Sequence, residues 1–450
     1  MKGKLLAFWD ALRTSFWFVP GVMALGAIAL AYLLTTLDTQ VQLAQRPGFG
    51  WIYTGSAEGA RSMLSTIAGS MLTVAGLSFS ITIAALTLAS SQFGPRLLRN
   101  FMRDTGNQLV LGTFIAGYIY CLLVLRTVRG GETNAFVPHI SVTVGVGMAL
   151  AGVAVLIYFI HHIAQSIQAA HLIARVSEEL DGAIDHLFPD RVGHGPPGEQ
   201  RRAEDERRPL DFDHAVRVVA SASGYVQTVD DSRLVALAAA ADVVVRLVHR
   251  PGDWVMEGST LAEVCPPGHA DSDLVAAINA VFVLGIQRTE TQDVAFPIRQ
   301  LVEIAVRALS PGINDPHTAT MCIDRLGAAL CRLSERTFPS PRRYDAARHL
   351  RVIARPVSWA SILDMAFNEI RQYGRSSVGV TLRLLETIAR IAERVTGTDE
   401  RAALLRQAMM IERGSHAGLP EEQDRQAVSA QYEHVLRTLE VGATRSLTTP

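Results

Sequence analysis

Between Arg61 and Arg96 the chain carries no charged residue. Such a run crosses a bilayer with residues to spare, because about 20 apolar residues suffice. Any fold that contains it must bury it in lipid or in an equally apolar interior. The run is not uniformly greasy. Thr66, Gly69, Thr73, Gly76, Ser80 and Thr87 recur at steps of mostly three, four or their sum, which places them on one seam of a helix. In lipid, small side chains let helices approach closely and hydroxyls bond across the contact. The same residue types line water-filled pores. Two readings stay open here, a packing seam and a pore wall.

Three further apolar runs accompany it, Phe16 to Leu37, Gln108 to Leu125 and Val137 to Ile160, with Ser62 to Ser91 as the second of four spans. The first run is too long for the apolar core of a signal peptide, so it reads as a retained helix. Lys2, Lys4, Arg13, Arg96, Arg99 and Arg103 flank the spans on one side, against Arg46, Arg61, Arg126 and Arg129 on the other. Cytoplasmic loops carry the basic excess, so both termini are expected in the cytoplasm of a bacterial inner membrane. The spans hold no acidic residue at mid-depth, which weighs against a proton-coupled transporter.

Residues 1–160 thus read as a four-helix membrane domain. Residues 161–188 keep a helical period and are expected to continue the fourth helix as a stalk. His161, His162 and His171 there lack a carboxylate that would complete a metal set, so no metal is expected. Residues 189–211, rich in Pro, Gly and charge, form a linker. Residues 212–267 hold short β-branched runs, among them GYVQTV, LVALAA and DVVVRLV, broken by turn signals. Their order is similar to that of lipoyl- and biotinyl-type barrels. Pro266-Pro267-Gly268 stands where such domains present an acceptor lysine, and Lys2 and Lys4 are the only lysines in the chain. Swinging-arm chemistry is therefore excluded, and no cofactor is expected. Residues 268–396 read as a helical domain and 397–450 as C-terminal helices and a tail. The fold class expected is four transmembrane helices plus a cytosolic α+β region, with a small barrel or sandwich-like module before a helical domain.

A net charge of −1 and a sequence pI near 6.9 argue against a nucleic-acid partner, which normally meets a basic excess. Four scattered cysteines fit neither zinc spacing nor a disulfide framework. Two soluble clusters can hold a ligand. One joins Arg288, Glu290 and Asp293 to the turn Ser310, Asn314, Asp315, His317 and Thr318. Asp315 before Pro316 is explained by a helix cap followed by proline at the first helical position. Ser310, Asp315 and His317 have the residue types of a hydrolase, but no nucleophile elbow supports them, so no enzyme is expected. The other cluster, Glu369, Arg371, Tyr373 and Arg375, reads as a helix end complemented by basic residues.

The charge-free helix, its exit GPRLLRNFMRD and the later ALSPGINDPHTA (Ala308 to Ala319) together resemble a family of bacterial predicted membrane proteins known only as a domain of unknown function. The resemblance reaches from the first apolar run to about Arg394. It implies four N-terminal membrane helices plus a cytoplasmic region, and no activity. The leading expectation is a homo-oligomeric channel or pore-like protein whose cytosolic part forms a vestibule or gate. The alternative is a membrane-anchored sensor or scaffold that binds a ligand or protein partner. The ion or ligand stays open.

Overall fold

The computed structural model describes residues 17–40, 53–93, 104–130, 136–166, 168–188, 211–289 and 291–446. The expectations placed on Arg96, Arg99 and Arg103, on the linker at 189–210 and on Glu290 lie outside these residues. The chain divides into two units, Met1–His171 and Leu172–Pro450.

The first unit contains four helices long and apolar enough to span a membrane: α1 (Phe18–Gln40), α2 (Ala57–Phe93), α3 (Thr105–Thr127) and α4 (His139–Ser166). The other three all pack on α3, which buries Val110, Leu111, Phe114, Tyr120, Cys121 and Val124. Gly112 brings α1 against α3 so closely that a Cβ there would lie 2.5 Å from Met23 Sδ and 3.2 Å from Pro20 Cα. Helix ends in lipid must find partners for their free backbone groups, and one aspartate serves each end of the bundle. Asp38, late in α1, accepts from the N–H groups of Ile140 (3.0 Å) and Ser141 (2.9 Å) at the start of α4. Asp104 caps α3 by accepting from Gly106 N–H at 2.8 Å. Its second oxygen lies 2.7 Å from His162 Nε2 on α4.

The expected continuous stalk is instead two helices. α4 ends at Ser166, and α5 (Ala169–Leu187) begins after a turn, in which Gln168 N–H bonds the Gln165 carbonyl and His171 N–H bonds the Gln168 carbonyl. Within the second unit α5 buries Leu172, Ile173, Val176, Leu180 and Ile184. Asp181 and Asp185 bind Arg332 at 2.6 and 2.7 Å, and Asp185 also binds Arg336 at 2.6 Å.

The mixed part of the second unit runs β1 (Val216–Val219), β2 (Gly224–Val229), α6 (Asp231–Ala240), β3 (Val244–Leu247), β4 (Trp254–Val255), β5 (Thr260–Cys265), α7 (Ser272–Asn279) and β6 (Phe282–Gly285). It is built on a duplication. Asp231-Ser-Arg-Leu-Val-Ala recurs forty positions later as Asp271-Ser-Asp-Leu-Val-Ala. Each copy is a strand, a helix and a strand: β2–α6–β3 and β5–α7–β6. Asp230 and Asp271 cap the two helices, and Leu234 and Leu274 occupy matching buried positions. The strands exchange partners between copies, β2 with β6 and β3 with β5, both antiparallel.

LVALAA is therefore helix and not strand. Its alanines favour a helix, Asp230 supplies the cap, and Leu234 and Ala238, four apart, share the buried face. The helical pattern expected from residue 268 onward is interrupted early, since α7 stops at Asn279 and Phe282 to Gly285 form β6.

The helical part contributes α8 (Ala295–Ala308), α9 (Pro316–Ser334), α10 (Trp359–Gly374), α11 (Val378–Ala392), α12 (Thr398–Gly418) and α13 (Glu422–Ser446). Between α9 and α10 it sends back β7 (Arg342–Tyr344) and β8 (Leu350–Ile353). β8 lies parallel to β3, giving a five-stranded sheet ordered β1-β5-β3-β8-β7 beside a three-stranded sheet β4-β2-β6. The barrel-like region thus does not close at Pro267. The free edge of β3 is covered by a strand from about a hundred residues further on, as exposed edges demand.

Candidate functional site

The hydroxyl and glycine seam of α2 lies opposite the face that packs on the bundle. α2 packs on its own bundle through Ala60, Leu64, Ala68, Met71, Ala75, Ser78, Ala85 and Ala89, all buried. Thr66, Gly69, Thr73, Gly76, Ser80 and Thr87 are all exposed. At 3.6 residues per turn the two sets lie about 180° apart around the helix. A Cβ added at Gly69 or Gly76 would meet nothing within 4 Å. Thr66, Thr73, Ser80 and Thr87 each donate to the carbonyl four residues earlier, at 2.8 to 2.9 Å. The seam is not used within the chain's own bundle. Its hydroxyls are satisfied internally and present a smooth face outward.

The Ser310–Thr318 turn is built as a corner. Asn314 takes a left-handed backbone (φ 48°), and its N–H and that of Ile313 both bond the Ser310 carbonyl. Asp315 accepts from Thr318 N–H (3.1 Å) and from the Thr318 hydroxyl (2.6 Å). That hydroxyl is the chief reason its carboxyl lies below the ordinary carboxylate value. Ser310 Oγ donates to the Arg307 carbonyl at 2.6 Å, and His317 is exposed. The turn does not meet Arg288 and Asp293. It follows the C-terminus of α8, whereas Asp293 precedes the N-terminus, and 14 helical residues separate them by about 20 Å.

At the N-terminal end of α8 a different site is assembled. Arg288 reaches Asp293 Oδ2 through Nη2 (2.5 Å) and Nε (3.0 Å), and Asp293 Oδ1 accepts from Ala295 N–H at 3.1 Å. Asp293 is only 4% exposed. Burial pushes its pKa up, opposed by Arg288. Gly252, in the turn after β3, sits directly on this pair with φ 92°. A Cβ there would fall 2.2 Å from Asp293 Oδ2 and 2.6 Å from Arg288 Nη2, so only glycine fits. Gln292 exchanges two hydrogen bonds with the backbone of Val229 (2.9 and 3.1 Å), which ties this segment to the end of β2.

Above the pair opens a cleft of about 570 Å³. The loops after β3 and β8 form two of its walls, at the carboxyl ends of the parallel pair, where open α/β sheets commonly bind ligands. His249 and Arg250 come from the first loop and Arg355 from the second. Arg343 lies on β7, and Phe338 precedes it. Arg250 is paired with Asp253 at 3.7 Å. Arg343 and Arg355 bond the carbonyls of Ser340 and Val248, and among the described residues neither has a carboxylate within 4 Å. Of these residues the sequence reading singled out Asp293 and its partner Arg288. Pro251-Gly252-Asp253 reads in the sequence as a turn signal, His249 and Arg250 carry no signal there, and Arg343 and Arg355 are far along the chain, brought in by the β3–β8 pairing.

Glu369, Arg371, Tyr373 and Arg375 end α10 or follow it. Tyr373 is exposed, while Arg371 Nε is buried with no hydrogen-bond partner among the described residues. In the membrane unit Asn107 and Ser78, each 3% exposed, are buried polar side chains whose Nδ2, Oδ1 and Oγ atoms lack a partner among the described residues.

Two outcomes follow from this geometry. Gly252→Ala forces a side chain into a backbone region L-residues avoid, at about 1–3 kcal/mol, and splits the Arg288–Asp293 pair. The melting temperature of the purified protein should fall, and an unchanged melting curve would refute the close approach. Asp315→Ala should cost about 1 kcal/mol at neutral pH, with Asp315→Asn recovering most of it. Because the folded carboxyl titrates below its unfolded value of about 3.9, the ionised cap stabilises fully above that pH. The benefit disappears as pH falls through the lowered value, so denaturant melts of wild type and Asp315→Ala should converge in acid.

No solved structure matches the chain. The uncharacterized protein Mb1321c of Mycobacterium bovis is 34% identical over 445 residues, covering 95% of this chain and 81% of its own length. The uncharacterized protein Rv1290c of Mycobacterium tuberculosis matches with the same identity and coverage. A family model described as "Predicted membrane protein (DUF2254)" covers residues 13–390. With four helices long and apolar enough to span a membrane ahead of a mixed helix-and-sheet unit, the chain belongs to that family of predicted membrane proteins.

Proposed function

We propose that the chain is a homo-oligomeric channel of the bacterial inner membrane, with both termini and the soluble unit in the cytoplasm. In this reading it conducts and does not catalyse. One observation carries it: α2 spends one face on its own bundle and turns a glycine and hydroxyl face the opposite way. Facing lipid alone, that seam would give up the packing that large apolar residues provide. Around a central axis it forms the kind of polar, back-bonded wall from which pores are built. At 37 residues α2 is about 55 Å long, well beyond the hydrocarbon thickness of about 30 Å, so it reaches out of the bilayer. The basic excess beside the spans supports the orientation. The four free cysteines, with none paired, suit a reducing compartment.

A membrane-anchored sensor is the second reading, favoured by the cleft at Asp293. There the seam would be a contact between copies and not a wall.

Orientation is checked with Thr133→Cys and Gly198→Cys in intact cells. A membrane-impermeant thiol reagent should label the first and not the second, and labelling at 198 would reverse the topology. The seam is checked in planar bilayers together with size measurements. Gly76→Leu should reduce or abolish conductance, because apolar constrictions dewet, and Ser80→Asp should shift it toward cations. Both should still assemble. If the seam is a helix contact, both should lose assembly, since Leu wedges the helices apart and Asp is buried unpaired. Loss of assembly in both, with a silent wild type, would leave the sensor in place of the channel.

A further inference from the structure

The cleft above Asp293 has an uneven charge balance. Arg250 and Asp293 line it but are matched, Arg250 by Asp253 and Asp293 by Arg288. Arg343 and Arg355 bond backbone carbonyls, and among the described residues neither has a carboxylate within 4 Å. Asp231 also lines the wall, where desolvation raises its pKa and Arg343 opposes the rise. His249 adds a second kind of donor beside them, shared with Asp253 at 3.7 Å. Arg343 on β7 and Arg355 in the loop after β8 thus bring two guanidinium groups to one opening, neither with a carboxylate within 4 Å among the described residues, and such groups take an oxyanion because each presents a planar fork of donors. The remaining wall is apolar, with Phe338, Leu247 and Val294. Its volume, about 570 Å³, falls within the range of small-molecule sites.

We propose that this cleft binds an organic phosphate of about nucleotide size, its anionic group held between Arg343 and Arg355 and its uncharged body lying against Phe338 and Leu247. The N-terminus of α8 does not serve as the anion seat, since Asp293 already accepts from Ala295 N–H there. The negative charge must go to the arginines. This inference is independent of conduction and holds for either a channel or a sensor.

The experiment is calorimetric titration of the full-length detergent-solubilised protein with AMP, ADP, ATP and glucose 6-phosphate. Adenosine is the uncharged control, and short-chain phosphatidylglycerol tests whether a lipid headgroup supplies the phosphate. At least one phosphate ligand should bind, adenosine should not, and added salt should weaken binding. The double variant Arg343→Gln/Arg355→Gln should lose about tenfold or more in affinity. Arg343→Lys/Arg355→Lys, which keeps the charge but not the fork, should lie between. Melting curves of both variants guard against loss of fold, since the side chains lie at the surface of the cleft. Binding of phosphatidylglycerol alone, lost in the Gln variant, would assign the site to a headgroup and overturn the soluble ligand. Binding of no phosphate compound at millimolar concentration, or equal binding by the folded Gln variant, overturns the site.

Discussion

The soluble unit turns on one buried ion pair, Arg288 with Asp293, held under Gly252. Three chain segments meet there: the exit of β6, the turn after β3 and the start of α8. The two copies of the strand–helix–strand repeat therefore touch at this point, and the helical part begins from it. Such a pair is not a large source of stability. Removing two charges from water costs several kcal/mol per ion, and the attraction roughly offsets that. Its effect is positional. Losing one partner strands the other in a dry site at about 3–5 kcal/mol, so the three segments cannot drift apart singly. The pair also neutralises Asp293 on the cleft wall, which leaves Arg343, Arg355 and Asp231 to set the balance of charge there.

Much of the membrane unit was legible because the signal is local. A long run without charge needs lipid or an equally apolar interior, and Arg61 and Arg96 bracket one such run. The Asp315 cap was legible for the same reason, since a cap and its target lie three residues apart. What stayed hidden depended on distance along the chain. Neighbouring β-branched runs made LVALAA look like a strand, though alanine content and an Asp230 cap decide for helix. The forty-residue repeat was present in the letters, but only self-comparison exposes it. Nothing around Leu350 to Ile353 says that this strand pairs with Val245 and Arg246. That pairing creates the cleft. Arg288 and Asp293 were grouped with the Ser310 turn by sequence proximity, and the rise of α8 separates them.

The two faces of α2 were half legible. Spacing alone showed that Thr66 to Thr87 share a side, and left open whether that side packs on neighbours. Only the buried stripe from Ala60 to Ala89 shows that the bundle takes the opposite face. The back-bonded hydroxyls matter here. A threonine that donates to its own preceding turn brings little penalty into lipid, water or a helix contact. The seam's chemistry is thus compatible with several surroundings, and its position on the helix is what narrows them.

A ligand can bias a membrane protein only through contacts that differ between its states. The chain's connectivity limits where such contacts can lie. His186, Leu187 and Phe188 end α5 and line the cleft, and Phe188 stacks edge-on with Phe338 at 5.1 Å. The other end of α5 begins three residues after the last residue of α4, the final span. One helix, fastened by Asp181 and Asp185 to Arg332 and Arg336, therefore lies between the cleft and the membrane helices in chain order. These ion pairs are partly exposed, and such pairs contribute little each. α5 also buries Leu172, Ile173, Val176, Leu180 and Ile184, and exposing such side chains costs about 1.5–3 kcal/mol each, so the apolar stripe and not the ion pairs fixes α5 within the second unit.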